Sequence, residues 1–77
     1  MDFDRILEMA IDLKLPKIDI DSITEYLEHG EWGIAFELLC SAIEFDKIEI
    51  THLIYLEIKE MGEHMHMDED LWEVFGI

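Results

Sequence analysis

The sequence predicts an all-α fold: one small domain over residues 1–77, a bundle of four to five helices around a central apolar helix. Three observations lead there. Read as a helix, Glu31–Phe45 has, beyond Glu31 at its start, polar positions only at Gly33, Glu37, Ser41 and Glu44, one narrow stripe at spacings of four, four and three. The rest of its circumference is apolar, so this helix is expected to be covered on several sides. The segments flanking it also follow the helical period and are punctuated by Pro16 and Gly30. Finally, 51% of the chain is hydrophobic, with Trp32, Phe36, Phe45, Trp72 and Phe75 as large apolar groups. A chain of 77 residues buries only about 60% of its unfolded surface. One cysteine makes no internal disulfide, and no Cys/His set has zinc spacing, so the core must supply the stability.

In chain order, Asp2 is placed to cap a first helix. Phe3, Ile6, Leu7, Ala10, Ile11 and Lys14 share its inner face, while Arg5, Glu8 and Asp12 point away. Leu15-Pro16 ends it, because the residue before proline avoids the α region. Lys17–Ile20 reads as a short extended link, and Asp19 or Asp21 as the cap of the second helix. Ile20, Ile23, Tyr26 and Leu27 form that helix's buried side. Gly30 stops it, leaving a link so short that the second and central helices should be near-antiparallel neighbours. After Phe45, Asp46–Ile50 alternates polar and apolar residues and reads as an extended connector with Ile48 and Ile50 turned inward. Thr51 caps a fourth helix whose core face carries Ile54, Ile58, Met61 and Met65, supported by Tyr55 and Gly62. Glu57, Glu60, Glu63 and His64 lie largely outside, and Met65-His66-Met67 ends the helix. Asp68 caps a short last helix, Glu69–Phe75, that docks Leu71, Trp72 and Phe75. Gly76-Ile77 is read as a fraying end.

Charge excludes several function classes. Twenty Asp and Glu face five Lys and Arg, a formal net charge of -15. Direct nucleic-acid binding is disfavoured because phosphates would be repelled, and an anionic membrane is disfavoured for the same reason. No run of residues is long and apolar enough to span a bilayer. The N-terminus carries acid where a secretion signal carries base, and the single thiol fits a reducing compartment, so a cytoplasmic location is expected. High hydrophobicity and clear periodicity argue against disorder.

No constellation points to catalysis, a metal or a cofactor, and the chain is read as a non-enzyme. Glu60 and His64 share a helix face, but His64 and His66 diverge and no HExxH supports them; a solvated helix end is the better account. Asp19-Ile20-Asp21 opens like a calcium loop, yet Thr24 and Gly30 stand where the loop needs glycine and glutamate. Cys40 lies among apolar residues and acids, the opposite of an activated thiol, and reads as core. What remains is the acid itself. Helix-dipole complementation explains acids in first turns, but not the scarcity of interspersed lysines. A basic partner accounts for the imbalance and would be steered in by it.

Tyr26-Leu27-Glu28-His29-Gly30-Glu31-Trp32-Gly33-Ile34-Ala35-Phe36-Glu37-Leu38-Leu39-Cys40 resembles the MafI family of bacterial immunity proteins, small acidic helical proteins encoded beside polymorphic toxins. Ile58-Lys59-Glu60-Met61-Gly62 and Trp72 fit the same pattern, so the similarity runs from about Ile20 to Trp72. The resemblance implies a cytoplasmic antidote in contact-dependent growth inhibition. It would bind, one-to-one as a monomer, the C-terminal domain of a cognate toxin, often a nuclease, and block its active site or substrate groove. The shared motif reads as scaffold, with Trp32 and Cys40 buried, and carries over no interface residue. From charge alone, the expected toxin contacts are Glu25, Glu28 and Glu31, then Glu57, Glu60 and Glu63, partnered with Lys and Arg around an aromatic anchor such as Tyr26 or Tyr55. The rival reading is a non-catalytic acidic adaptor or interaction module whose acidity serves only solubility.

Overall fold

The first helix of the computed structural model, which describes residues 2–75, begins as its sequence requires: the Asp2 carboxylate accepts the backbone N–H of Asp4 at 2.9 Å. Met1 and the expected fraying end at Gly76-Ile77 lie outside the described residues. Five helices follow: α1 (Asp4–Asp12), α2 (Lys17–Glu28), α3 (Trp32–Phe45), α4 (His52–His64) and α5 (Asp70–Glu73). The fold is all-α, as the periodicity predicts.

Helix α1 buries Ile6, Met9 and Ala10, with Leu13 half-buried, whereas Ile11 is exposed. The buried face is therefore turned from the expected one. Positions 6, 9, 10 and 13 are spaced three, one and three apart, so the stripe centres on Met9 and excludes Ile11. The helix also stops at Asp12, before Lys14.

Its ending is repeated throughout the molecule. The N–H of Leu15 donates to Ala10 and that of Lys14 to Ile11, a Schellman closure with Lys14 left-handed at φ 58°. Helix α2 closes in the same way through Glu31 to Tyr26 and Gly30 to Leu27, with Gly30 at φ 71°. Helix α3 closes through Ile48 to Ile43 and Lys47 to Glu44, and α4 through Met67 to Gly62 and His66 to Glu63. Lys47 and His66 hold the left-handed position at φ 52° and 57°. Of these four helices only α2 uses the glycine that such a position favours.

Helix α2 departs from expectation at its start. Lys17–Ile20 is not an extended link but its first turn, and neither Asp19 nor Asp21 makes a capping bond. Pro16, at ψ 145°, supplies the entry, and its carbonyl accepts from Asp19 and Ile20. Lys17 Nζ reaches Asp21 Oδ2 at 2.8 Å across one turn, and Asp19 stands in the first turn, where an acid complements the dipole.

Helix α2 packs most extensively on α3, which also touches α1 and α5. Ala35, Phe36, Leu39, Cys40, Ala42 and Ile43 of α3 enter one core with Ile6, Met9, Ile23, Ile58, Met61 and Trp72. Helix α3 is thus covered on several sides, by α2, α1 and α5, but not all round: Trp32 is 45% exposed, Ile34 44% and Phe45 86%. So few short helices cannot enclose a fourteen-residue helix. Trp32 lies against α1 instead, its ring stacked on Phe3 with centroids 4.3 Å apart and planes 9° from parallel.

The connector holds Ile48 and Ile50 against the core, and the Thr51 hydroxyl accepts the Ile54 N–H at 3.2 Å, both as expected. Ile58, Met61 and Gly62 form the buried face of α4. Asp68 accepts the N–H of Asp70 at 3.0 Å and starts α5, shorter than the expected Glu69–Phe75. Trp72 of α5 is buried, edge-on to Phe36 at 6.1 Å and 70°, and its ring fills the space a Cβ on Gly62 would need.

Candidate interaction surface

Among the described residues no polar or charged side chain is buried, so the polar chemistry of the molecule lies on its surface. Among the described residues two of the five cations, Arg5 and Lys17, are paired with acids of the protein itself. Arg5 makes a two-pronged bond to Glu57, Nε to Oε2 at 2.8 Å and Nη2 to Oε1 at 2.9 Å, tying α1 to α4. Its Nη1 stands 3.7 Å from Glu8 and 3.6 Å from Asp12. The hydrogen bond from Arg5 holds the Glu57 carboxyl below its ordinary range, and the same bond raises the guanidinium. Lys17 is raised by its bond to Asp21. Lys14 and Lys47 sit at the C-terminal ends of α1 and α3, where a cation meets the negative end of the dipole. Among the described residues, only Glu8, Asp12, Asp21 and Glu57 of the 20 acids stand within ion-pair distance of Lys or Arg.

The acids expected to meet a partner fall into two groups. Glu25 and Glu28 are exposed on the last turn of α2, and exposed Glu31 follows Gly30 at the entry to α3. Glu60 and Glu63 are exposed on α4, while Glu57 is half-buried and engaged by Arg5. Glu57 and Glu60 share an open cleft of about 310 Å³ with Asp2, Arg5, Glu8 and Met61. No side-chain hydrogen bond or ion pair among the described residues joins the α2–α3 group to the α4 group. The expectation that Glu57 lies largely outside is corrected, because the guanidinium draws it toward α1.

The placement of the unpaired acids is informative. Glu25 and Glu28 occupy the last turn of α2, and Glu44 that of α3, with no basic residue in either turn. This is the negative end of each dipole, where an acid costs about 0.3–1 kcal/mol at low ionic strength. Helix stability therefore does not explain these carboxylates.

Sequence reasoning missed the apolar part of the surface. Ile34 and half-buried Leu38 stand beside Glu37 and Ser41 in a cleft of about 330 Å³ whose other wall is Ser22 and Tyr26 of α2. Ser41, Glu44 and Phe45 line a second, of about 230 Å³. Trp32, expected to be scaffold and buried, borders a third with Phe3, Gly33, His64, Met65 and Met67. The sequence does carry a signal for the first two. Glu37, Ser41 and Glu44 mark the solvent side of α3, and Ile34, Leu38 and Phe45 flank that stripe at helical spacing.

Cys40 is buried as expected at 1% exposure; burial pushes its thiol up to about 12, with a smaller push from the charge of Glu37. Glu60, His64 and His66 do not converge, and no three His, Cys, Asp or Glu side chains among the described residues form a metal-holding group. No described helix is long and apolar enough to cross a membrane. The surface offers the chemistry of recognition: carboxylates to accept from Lys and Arg, and exposed apolar groups to be desolvated. Comparison with protein-family models, with curated proteins and with solved structures finds no match to the chain.

Proposed function

We propose that this protein is an immunity-type inhibitor that binds a basic toxin domain, of nuclease type, one-to-one through its acidic surface in the cytoplasm of the producing bacterium. The observation that carries the reading is the set of carboxylates at Glu25, Glu28 and Glu31. Glu25 and Glu28 lie at the wrong end of α2 for its dipole, and no described cation pairs with any of the three. A cost of this kind, kept in a chain of net charge -15, is offset when a basic surface arrives. The charge also suits a nuclease, whose substrate channel is built to receive phosphates. The resemblance to MafI immunity proteins over Ile20–Trp72 supports the same reading. Glu25, Glu28 and Glu31 would accept from Lys and Arg of the toxin, with half-buried Tyr26, next to Glu25 in the chain, as an aromatic anchor.

The test is co-expression with the C-terminal domain encoded by the adjacent gene. A stable one-to-one complex and protection of cells from that domain are expected, both weakened by the triple change Glu25→Lys, Glu28→Lys and Glu31→Lys. A toxic domain that neither binds nor is neutralised would overturn the reading.

A further inference from the structure

Resting on the reading just given, we propose that the solvent face of α3, from Ile34 to Phe45, is the docking groove for a cationic amphipathic helix of the partner. Ile34, Leu38, Ser41 and Phe45 are spaced four, three and four apart and so share one face. The cleft at Ile34 and the cleft at Phe45 adjoin at Ser41, which lines both. The span from Ile34 to Phe45 is about 16 Å at 1.5 Å per residue, the length of three helical turns. Its apolar groups are a poor fit to folding alone. Phe45 is 86% exposed and Ile34 44%, in a chain whose core is complete without them.

The acids define the occupant. Glu37 and Glu44, seven residues apart, lie together along one side of the apolar line, and among the described residues no Lys or Arg stands within ion-pair distance of either. A second copy would bring Glu37 and Glu44 against the same residues of another chain of net charge -15. A helix with apolar residues at matching spacing and lysine or arginine along the flank that faces Glu37 and Glu44 satisfies both the apolar line and the acids. Phe45 and Ile34 would enter between its apolar side chains, and the flanking cations would bond Glu37 and Glu44.

The probe is a capped leucine–lysine peptide of about four helical turns, with its leucines on one face. The control replaces each leucine by serine and keeps the charge. Titration into the full-length isotope-labelled chain at low salt should move the amide resonances of Ile34, Glu37, Leu38, Ser41 and Phe45 most. The serine control should bind at least about tenfold more weakly. Phe45→Ser, at a site too exposed to upset folding, should weaken binding by about tenfold or more. Glu37→Gln with Glu44→Gln should lower affinity and flatten its salt dependence. The inference is overturned if the leucine–lysine peptide does not bind, if the serine control binds equally, if the shifts centre on Glu57, Glu60 and Glu63, or if the free chain self-associates through Phe45. The toxin domain separates the two proposals: a complex indifferent to Phe45→Ser removes the groove but leaves the inhibitor reading, and absence of a complex removes the inhibitor reading.

Discussion

Gly62→Ala tests how α5 is held to the bundle. A Cβ on Gly62 would lie 2.6 Å from Trp72 Cη2 and 2.7 Å from Cε3, well inside van der Waals contact. The ring cannot swing aside freely, since Trp72 is 2% exposed and its edge rests on fully buried Phe36. Alanine should gain about 1 kcal/mol of helix propensity over glycine. Against that stands an overpacking cost of about 1–3 kcal/mol, rising to about 3–5 kcal/mol if the indole is expelled. With three ring carbons inside 3.0 Å of the new Cβ the larger cost applies, so the net expectation is a loss of about 2–4 kcal/mol, at roughly 4–8 °C in melting temperature for each kcal/mol in a domain this small. Gly33→Ala is the internal control. Its Cβ would meet only the Met67 side chain, Sδ at 3.5 Å and Cε at 3.8 Å, ordinary contacts with a flexible group, so it should stabilise by up to about 1 kcal/mol. Urea unfolding followed by circular dichroism measures both, and repeating Gly62→Ala with Trp72→Val should shrink its cost. A Gly62→Ala protein as stable as the parent, or an unchanged cost without the indole, would refute the reasoning.

Other outcomes follow from the same geometry. Lys14→Gly and Lys47→Gly should each stabilise by about 0.5–1 kcal/mol in chemical denaturation, because left-handed strain of about 1–2 kcal/mol outweighs the entropy glycine adds. Gly30→Ala should cost about 1 kcal/mol by the same measurement although nothing lies within 4 Å of its Cβ. Glu57→Gln should destabilise by about 1 kcal/mol at neutral pH, a modest figure because the Arg5 and Glu57 side chains are 30% and 43% exposed and salt screens them. Since the folded Glu57 carboxyl is depressed, this contribution is present above its unfolded value of about 4.3 and disappears as pH falls through the folded value. Denaturation of parent and variant across that window should show the difference closing on the acid side. Cys40 should resist thiol reagents at neutral pH, with labelling limited by opening of the fold rather than by reagent concentration.

Much of the fold was legible because periodicity and capping act locally. Thr51, Asp68 and Gly30 declare helix boundaries through single side chains or a single φ, and all three are where the sequence places them. Three helix ends were harder to read, because Lys14, Lys47 and His66 take left-handed positions that favour glycine. There the chain must turn to return Leu15, Ile48 and Met67 to the core, so packing overrides residue preference. The start of α2 was misplaced because Asp19 and Asp21 look like caps, whereas the entry is set by Pro16 and the Lys17–Asp21 pair. Composition revealed the acids, but not that Arg5 would claim Glu57 from 52 residues away, which only tertiary structure determines. Nor could apolarity alone distinguish Phe36 in the core from Phe45 in solvent; too few helices surround α3 to cover both.

The account's central claim is that the carboxylates at Glu25, Glu28 and Glu31 are kept for a basic partner, Glu25 and Glu28 at a cost to α2. It is tested most directly by measuring, on one set of proteins, unfolding stability and calorimetric affinity for the adjacent-gene toxin domain. Glu25→Gln with Glu28→Gln should raise the stability of the free chain by about 0.5–2 kcal/mol at low salt, since each acid opposes the α2 dipole. The same pair should weaken toxin binding by at least about tenfold and reduce its salt dependence. A variant that loses stability and binds as tightly as the parent would contradict the claim.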